Sequence, residues 1–150
     1  ADYAGAVAAI KAKFVAEWVT GGSPTTPVVF QNAANEYDPS TNTQQPWVYF
    51  EVIGSSSGLR GVGTPGSQTW LYRGFIAAHV FVPINTGFEL AQTHAVAIGE
   101  IFRAQGFYND DAGAIVRTWS PRTDGGESDA DDGNWWRVTC TIPFEFFYRG

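Results

Sequence analysis

Near the end of the chain apolar and polar residues alternate without a break. From Trp136 onward Trp136, Val138, Cys140, Ile142, Phe144 and Phe146 are apolar, and Arg137, Thr139, Thr141, Pro143 and Glu145 stand between them. A strand sends successive side chains to opposite faces, so this period of two predicts a strand over 135–148 with one dry face and one largely solvated face. That is the pattern of an antiparallel sheet covered on a single side. The cover is expected from two segments whose period is near 3.6. In the first, Tyr3, Val7, Ile10, Phe14 and Trp18 fall on one stripe, and Gly21-Gly22-Ser23-Pro24 ends the helix. In the second, Thr86 and Glu89 have the spacing of a capping box, Leu90, Ala91, Ala97, Ile98, Ile101 and Phe102 form the apolar face, and Gly106 is the stop.

Between and after the helices, shorter runs read as strands. Residues 27–30 suit an edge strand, and the polar stretch 31–45 suits a surface loop. Residues 46–53 are rich in aromatic and β-branched side chains, with Pro46 at the start where a missing N–H is tolerated. Residues 70–83 are apolar on both faces from Phe75 to Val82, which predicts a central strand. Ile115 to Trp119 reads as one more. The expectation is an α+β fold: a two-layer sandwich with a mostly antiparallel sheet of four to five strands and two helices packed on one face, in the order α-β-β-β-α-β-β. It forms one domain over 1–150. Two extended loops interrupt it, a glycine- and serine-rich one at 54–68 and an acidic one at 109–134.

Composition narrows the class of protein. Hydrophobic residues at 44% and aromatics at 15% suit a packed globular domain and not a disordered chain. The single cysteine, Cys140, excludes an intrachain disulfide and reads as a small buried hydrophobe, which suits a reducing compartment. No apolar run approaches the ~18 residues of a membrane span, and Ala1-Asp2-Tyr3 lacks a basic leader, so a soluble, intracellular protein is expected where it is made. The net charge of −6 disfavours tight nonspecific binding to nucleic acid or to an anionic membrane. Asp110, Asp111, Asp124, Glu127, Asp129, Asp131 and Asp132 crowd the segment before the last strand, as a solvated loop does.

Motifs that carry chemistry fail on context. Gly61-Val62-Gly63-Thr64-Pro65-Gly66 has the spacing of a dinucleotide fingerprint, but strand-like sequence follows it, Pro65 sits inside it and no acid stands ~20 positions on. Counted from Glu127, a calcium loop would need glycine where Asp132 stands and glutamate where Val138 stands. His79 and His94 have no ligand-spaced neighbours, and His94 falls within an apolar helical stripe, as a satisfied core imidazole does. Neither a nucleophile elbow nor a Walker loop occurs, so no enzyme, cofactor or metal is expected. Six tryptophans leave a carbohydrate-binding module as an alternative, with Trp70, Trp119 and Trp135 the candidates for exposure.

The order of phrases along the chain resembles the tail terminator (tail completion) proteins of long-tailed bacteriophages. After the first amphipathic segment come Pro27-Val28-Val29-Phe30-Gln31-Asn32, then Pro46-Trp47-Val48, then a loop into Arg73-Gly74-Phe75 and a strand ending at Pro83. Gly87 with its helix, a glycine-bounded strand near Ile115 and the closing strand with Ile142-Pro143-Phe144 complete the match. The resemblance implies a non-enzymatic structural virion protein of the tail and neck region, assembled in the host cytoplasm. It further implies a homo-oligomeric ring, usually hexameric, that caps the head-proximal end of the tail tube and ends tube growth. Its partners would be the major tail tube protein and the head-tail connector or head-closure protein, with DNA passing through unbound. A head-closure or minor tail protein is the neighbouring alternative.

The residues themselves suggest two sites. Leu59, Arg60 and Val62 make an apolar-basic tip suited to inter-subunit or tube contacts. Asp124, Glu127, Asp129, Asp131 and Asp132 either line the DNA channel, repelling a polyanion, or form a plain solvated loop, with a loosely bound divalent cation that relieves their mutual repulsion as a further alternative.

Overall fold

The computed structural model describes residues 1–21, 26–33, 45–128 and 135–150. Asp2 opens the first helix, α1 (Tyr3–Phe14), by accepting a 2.7 Å bond from the Gly5 N–H, so one orphan donor of the first turn is satisfied. The chain then widens into a π-helical turn, Val15–Thr20, closed by Gly21 N–H to the Ala16 carbonyl at 3.0 Å. Ala6, Ile10, Phe14 and Trp18 are the buried positions. They are four apart, and in an α-helix each step of four overshoots a full turn by roughly 40°. The wider π turn advances less per residue, which returns Trp18 to the side of Phe14.

Among the described residues eight strands flank the second helix: β1 (Val28–Phe30), β2 (Trp47–Leu59), β3 (Thr69–Pro83), then α2 (Glu89–Phe102), then β4 (Gly106–Phe107), β5 (Ile115–Thr118), β6 (Arg122–Thr123), β7 (Glu127–Ser128) and β8 (Trp135–Arg149). They form one sheet in the order β1-β2-β3-β8-β5-β4, with β6 and β7 also laid against β8. β1 runs parallel to β2, and the other pairings are antiparallel. The result is a large, curled, mixed sheet, a half-barrel with two helices. This corrects the expected two-layer sandwich of four to five mostly antiparallel strands. Strands of 13 and 15 residues accumulate twist, and a bulge between Gly54 and Ser56 adds to it, so the sheet rolls instead of lying flat.

The missed strands are short. β4, β6 and β7 have two residues each, too few to display a period, and they sit in sequence that reads as turn or acidic loop. β2 also runs six residues past Ile53, into the stretch expected to be a loop, because exposed Ser and Gly carry no alternation to detect.

The spine is β8, paired with β3 from Trp135 to Arg149 and, on its other edge, with β7, β6 and β5 in turn. Its buried side chains Val138, Cys140, Ile142, Phe144 and Phe146 join Val48, Phe50, Ile76, Val80, α1 and α2 in one core cluster. Phe14 stacks on Phe50 at 4.2 Å and Tyr3 on Tyr72 at 4.7 Å, which seats α1 on the sheet.

α2 differs from expectation at its start and in its face. Phe88 is the N-cap and makes no side-chain cap bond, while Thr86 donates back to the Pro83 carbonyl at 2.6 Å, so the capping box is not formed. Ala91, His94, Ala95, Ile98, Gly99 and Phe102 are buried, and Leu90 and Ala97 are left exposed. Gly99 sets this orientation: a Cβ there would lie 2.9 Å from Pro121 and 3.1 Å from the Cys140 sulfur, closeness only glycine permits.

Candidate functional site

The most prominent feature is an arm. Beyond the Gly54/Ser56 bulge β2 and β3 stay paired, Ser56 opposite Arg73 through to Leu59 opposite Trp70, and β8 runs along the other edge of β3 as far as Thr69, so the part that stands clear of the sheet is the connection from Arg60 to Ser67. Every residue from Ile53 to Ser67 is exposed. Thr64-Pro65-Gly66-Ser67 closes the tip, with the Ser67 N–H on the Thr64 carbonyl at 2.9 Å and Gly66 at φ +90°. Proline followed by a positive-φ glycine is the chemistry of a type II turn, which accounts for the glycines that mimic a nucleotide fingerprint. Next to the tip turn Gln68 and Gly150 exchange two backbone hydrogen bonds, and at the arm's base Arg73 meets Glu145 at 3.3 Å.

All three residues singled out for partner contact lie on this arm. Leu59 ends its strand at 51% exposure, Arg60 follows, and Val62 stands fully in solvent. Arg60 has no carboxylate partner among the described residues.

At the opposite end of the sheet lies an apolar groove of ≈ 270 Å³ lined by Ile84, Asn85, Gly87, Phe88 and Trp136. Phe88 and the adjoining Leu90 are about half exposed. Glu89 forms the rim: its Oε2 lies 2.9 Å from where a Gly87 Cβ would stand, and it too has no ion-pair partner among the described residues. Sequence reading placed Leu90 in the core and missed this groove, because a half-turn of α2 is not resolved by periodicity when alanines occupy both sides.

The acidic segment is not one cluster. Asp110 and Asp111 precede β5 near the Arg149 end of β8, whereas Glu127 pairs across from Arg137, and about ten residues of strand, roughly 33 Å, separate the two groups. Asp124 accepts from the N–H groups of Gly126 (3.1 Å) and Thr139 (3.0 Å), and Glu127 pairs with the Arg137 guanidinium. Asp129, Asp131 and Asp132 lie outside the described residues. Among the described residues no group of three or more His, Cys, Asp or Glu is placed to hold a metal.

The sheet face away from the helices carries the remaining polar chemistry. His79 is held by Thr139 (2.8 Å from Nδ1) and by Glu51 (2.7 Å from Nε2). Across the same face Ile53, Phe75 and Pro143 stand in register, and Trp119 beside them is 46% exposed. Of the tryptophans read as candidates for exposure, Trp135 is buried instead. His94 is 3% exposed, edge-on to Trp18 at 5.7 Å, with no partner for Nδ1, and burial pushes its pKa down.

A domain whose exposed apolar side chains sit on an arm, in a groove and on an open sheet face has the surface of a structural component that packs against other proteins. The family comparison says which kind: residues 6–144 match the phage tail terminator protein model, and the chain belongs to that family. It is a family of structural virion proteins, so this chain has a structural role in the phage tail. No curated protein matches the chain. Solved structures are similar too, among them one with a TM-score of 0.58 at 19% identity, covering 91% of this chain and 92% of that one. At that identity the likeness shows the fold alone. No helix among the described residues is long and apolar enough to cross a membrane.

Proposed function

We propose that copies of this chain close into a ring of six at the head-proximal end of the phage tail tube. The ring ends tube polymerisation and joins the tail to the head connector. The match of residues 6–144 to the tail terminator family carries the reading. The projecting arm supports it, because a flexibly joined partner or neighbour gains most by burying apolar residues held out in solvent. Leu59, Arg60 and Val62 make those contacts, to a neighbouring subunit or to the tube. DNA passes through the ring without specific binding, and Asp124, Glu127, Asp129, Asp131 and Asp132 line its path, where like charge keeps a polyanion from sticking.

Light scattering and negative-stain images of the purified protein test the ring, with a six-copy particle as the expected result and a monomer at all concentrations as the refutation. Tails assembled without the protein should overgrow or fail to join heads. Neutralising Asp129, Asp131 and Asp132 together should slow genome ejection, and an unchanged rate would leave that loop as solvated surface.

A further inference from the structure

We propose that the arm of one copy is a plug and that the groove at Ile84, Phe88 and Trp136 of a second copy is its socket. This rests on the ring reading and names the contact that would build it. The two parts match in chemistry. The tip presents Leu59 and Val62, both exposed, with Arg60 between them. The groove presents Phe88, Ile84 and the Trp136 ring, with the Glu89 carboxylate on its rim.

Charge selects this occupant. From Val52 to Phe88 the chain carries no acid, and since Arg73 is paired with Glu145 the charge left on the arm is that of Arg60, a positive tip on a molecule of net charge −6. Arg60 and Glu89 each lack an ionic partner among the described residues, and docking gives each the other.

The two parts do not meet within one molecule. The tip extends past Thr69 and the groove lies beside Pro83 and Trp136, at opposite ends of strand pairs roughly 45 Å long. The strands beneath the tip are held in register through Leu59 and Trp70, with β8 alongside as far as Arg149, which leaves no slack for folding back. A plug at one end and a socket at the other make a heterologous contact, which repeats from copy to copy and closes into a ring when the rotation permits. Four tip residues cover less than the roughly 800 Å² per partner of a stable pair, so this contact sets the register of neighbours and a single pair is weak.

The test uses two variants of the full chain with exposed substitutions. One has a dead plug (Arg60→Glu with Val62→Asp) and the other a dead socket (Phe88→Ser with Glu89→Lys). Each should keep the parental circular dichroism and melting temperature yet sediment as a single copy, self-associating at least about 30-fold more weakly than the parent. Combining Arg60→Glu with Glu89→Arg in one chain should restore the ring.

A ring that survives in either variant, or a charge-swapped chain that stays monomeric, overturns the plug and socket while the ring reading stands. A dead-plug variant that still forms rings but no longer caps tubes places the arm on the tube instead. A parental protein that never forms rings removes the ring reading, and this contact with it.

Discussion

At the scale of single residues, His94 is a buried side chain that apolar periodicity alone would not choose. His94 was legible as buried because it falls on the inward stripe of α2, but nothing in the sequence shows that its Nδ1 would go unpartnered. Burial disfavours its charged form. The unfolded chain takes up a proton near pH 6.5, and the folded chain only lower. Stability therefore falls as pH drops below about 6.5 and levels off once the folded imidazole also protonates. Melting curves from pH 7.5 to 5 should show that slope, and His94→Leu should flatten it. Cys140 is the complementary case. Burial raises its thiol pKa, so the native protein should resist a thiol reagent at pH 8 and react only at the rate at which it opens. Gly74 answers to geometry instead: a Cβ there would run into the Ile53 carbonyl oxygen and lie 2.9 Å from the Phe144 ring. Gly74→Ala should cost about 1–3 kcal/mol in denaturant unfolding.

At the scale of elements, β8 carries a proline in the middle of the sheet, where a ladder bond is normally lost. Pro143 is tolerated because of which edge it faces. A strand residue directs its N–H and C=O to the same edge, and the Pro143 carbonyl accepts from the Trp119 N–H at 3.1 Å. The missing donor thus points into the gap between β5, which pairs from Phe144 onward, and β6, which pairs up to Thr141. Pro143→Ala should change stability by less than about 1 kcal/mol. Asp124 patches the same edge, taking the Thr139 N–H on its carboxylate where β6 gives out. Asp124→Ala orphans that donor and the Gly126 N–H and should cost about 1–3 kcal/mol, which urea unfolding at pH 7 will register.

At the scale of the molecule, what the sequence disclosed follows a physical rule. The long strand β8 and both helices were legible because 12 to 15 residues repeat a period enough times to identify it, and β3 because its apolar run marks a central strand. The two-residue strands and the parallel pairing of β1 were not, since β6 and β7 are fixed by β8, β4 by β5 and β1 by β2, and such pairings leave no local trace. The arm tip was legible in the run Leu59-Arg60-Gly61-Val62. The socket was hidden, because it is assembled from the loop before α2 and a strand some fifty residues later.

The spine strand comes last in the order of elements, and its partners on β3 lie between 52 and 80 residues earlier in the chain. Little of the sheet can lock before that strand has emerged from the ribosome, and loop closure over such separations makes folding slow. While they wait, β2 and β3 expose unpaired edges in a cell filling with identical nascent chains. A tail-assembly protein made in this order depends on keeping those edges apart until its own final segment arrives to cover them.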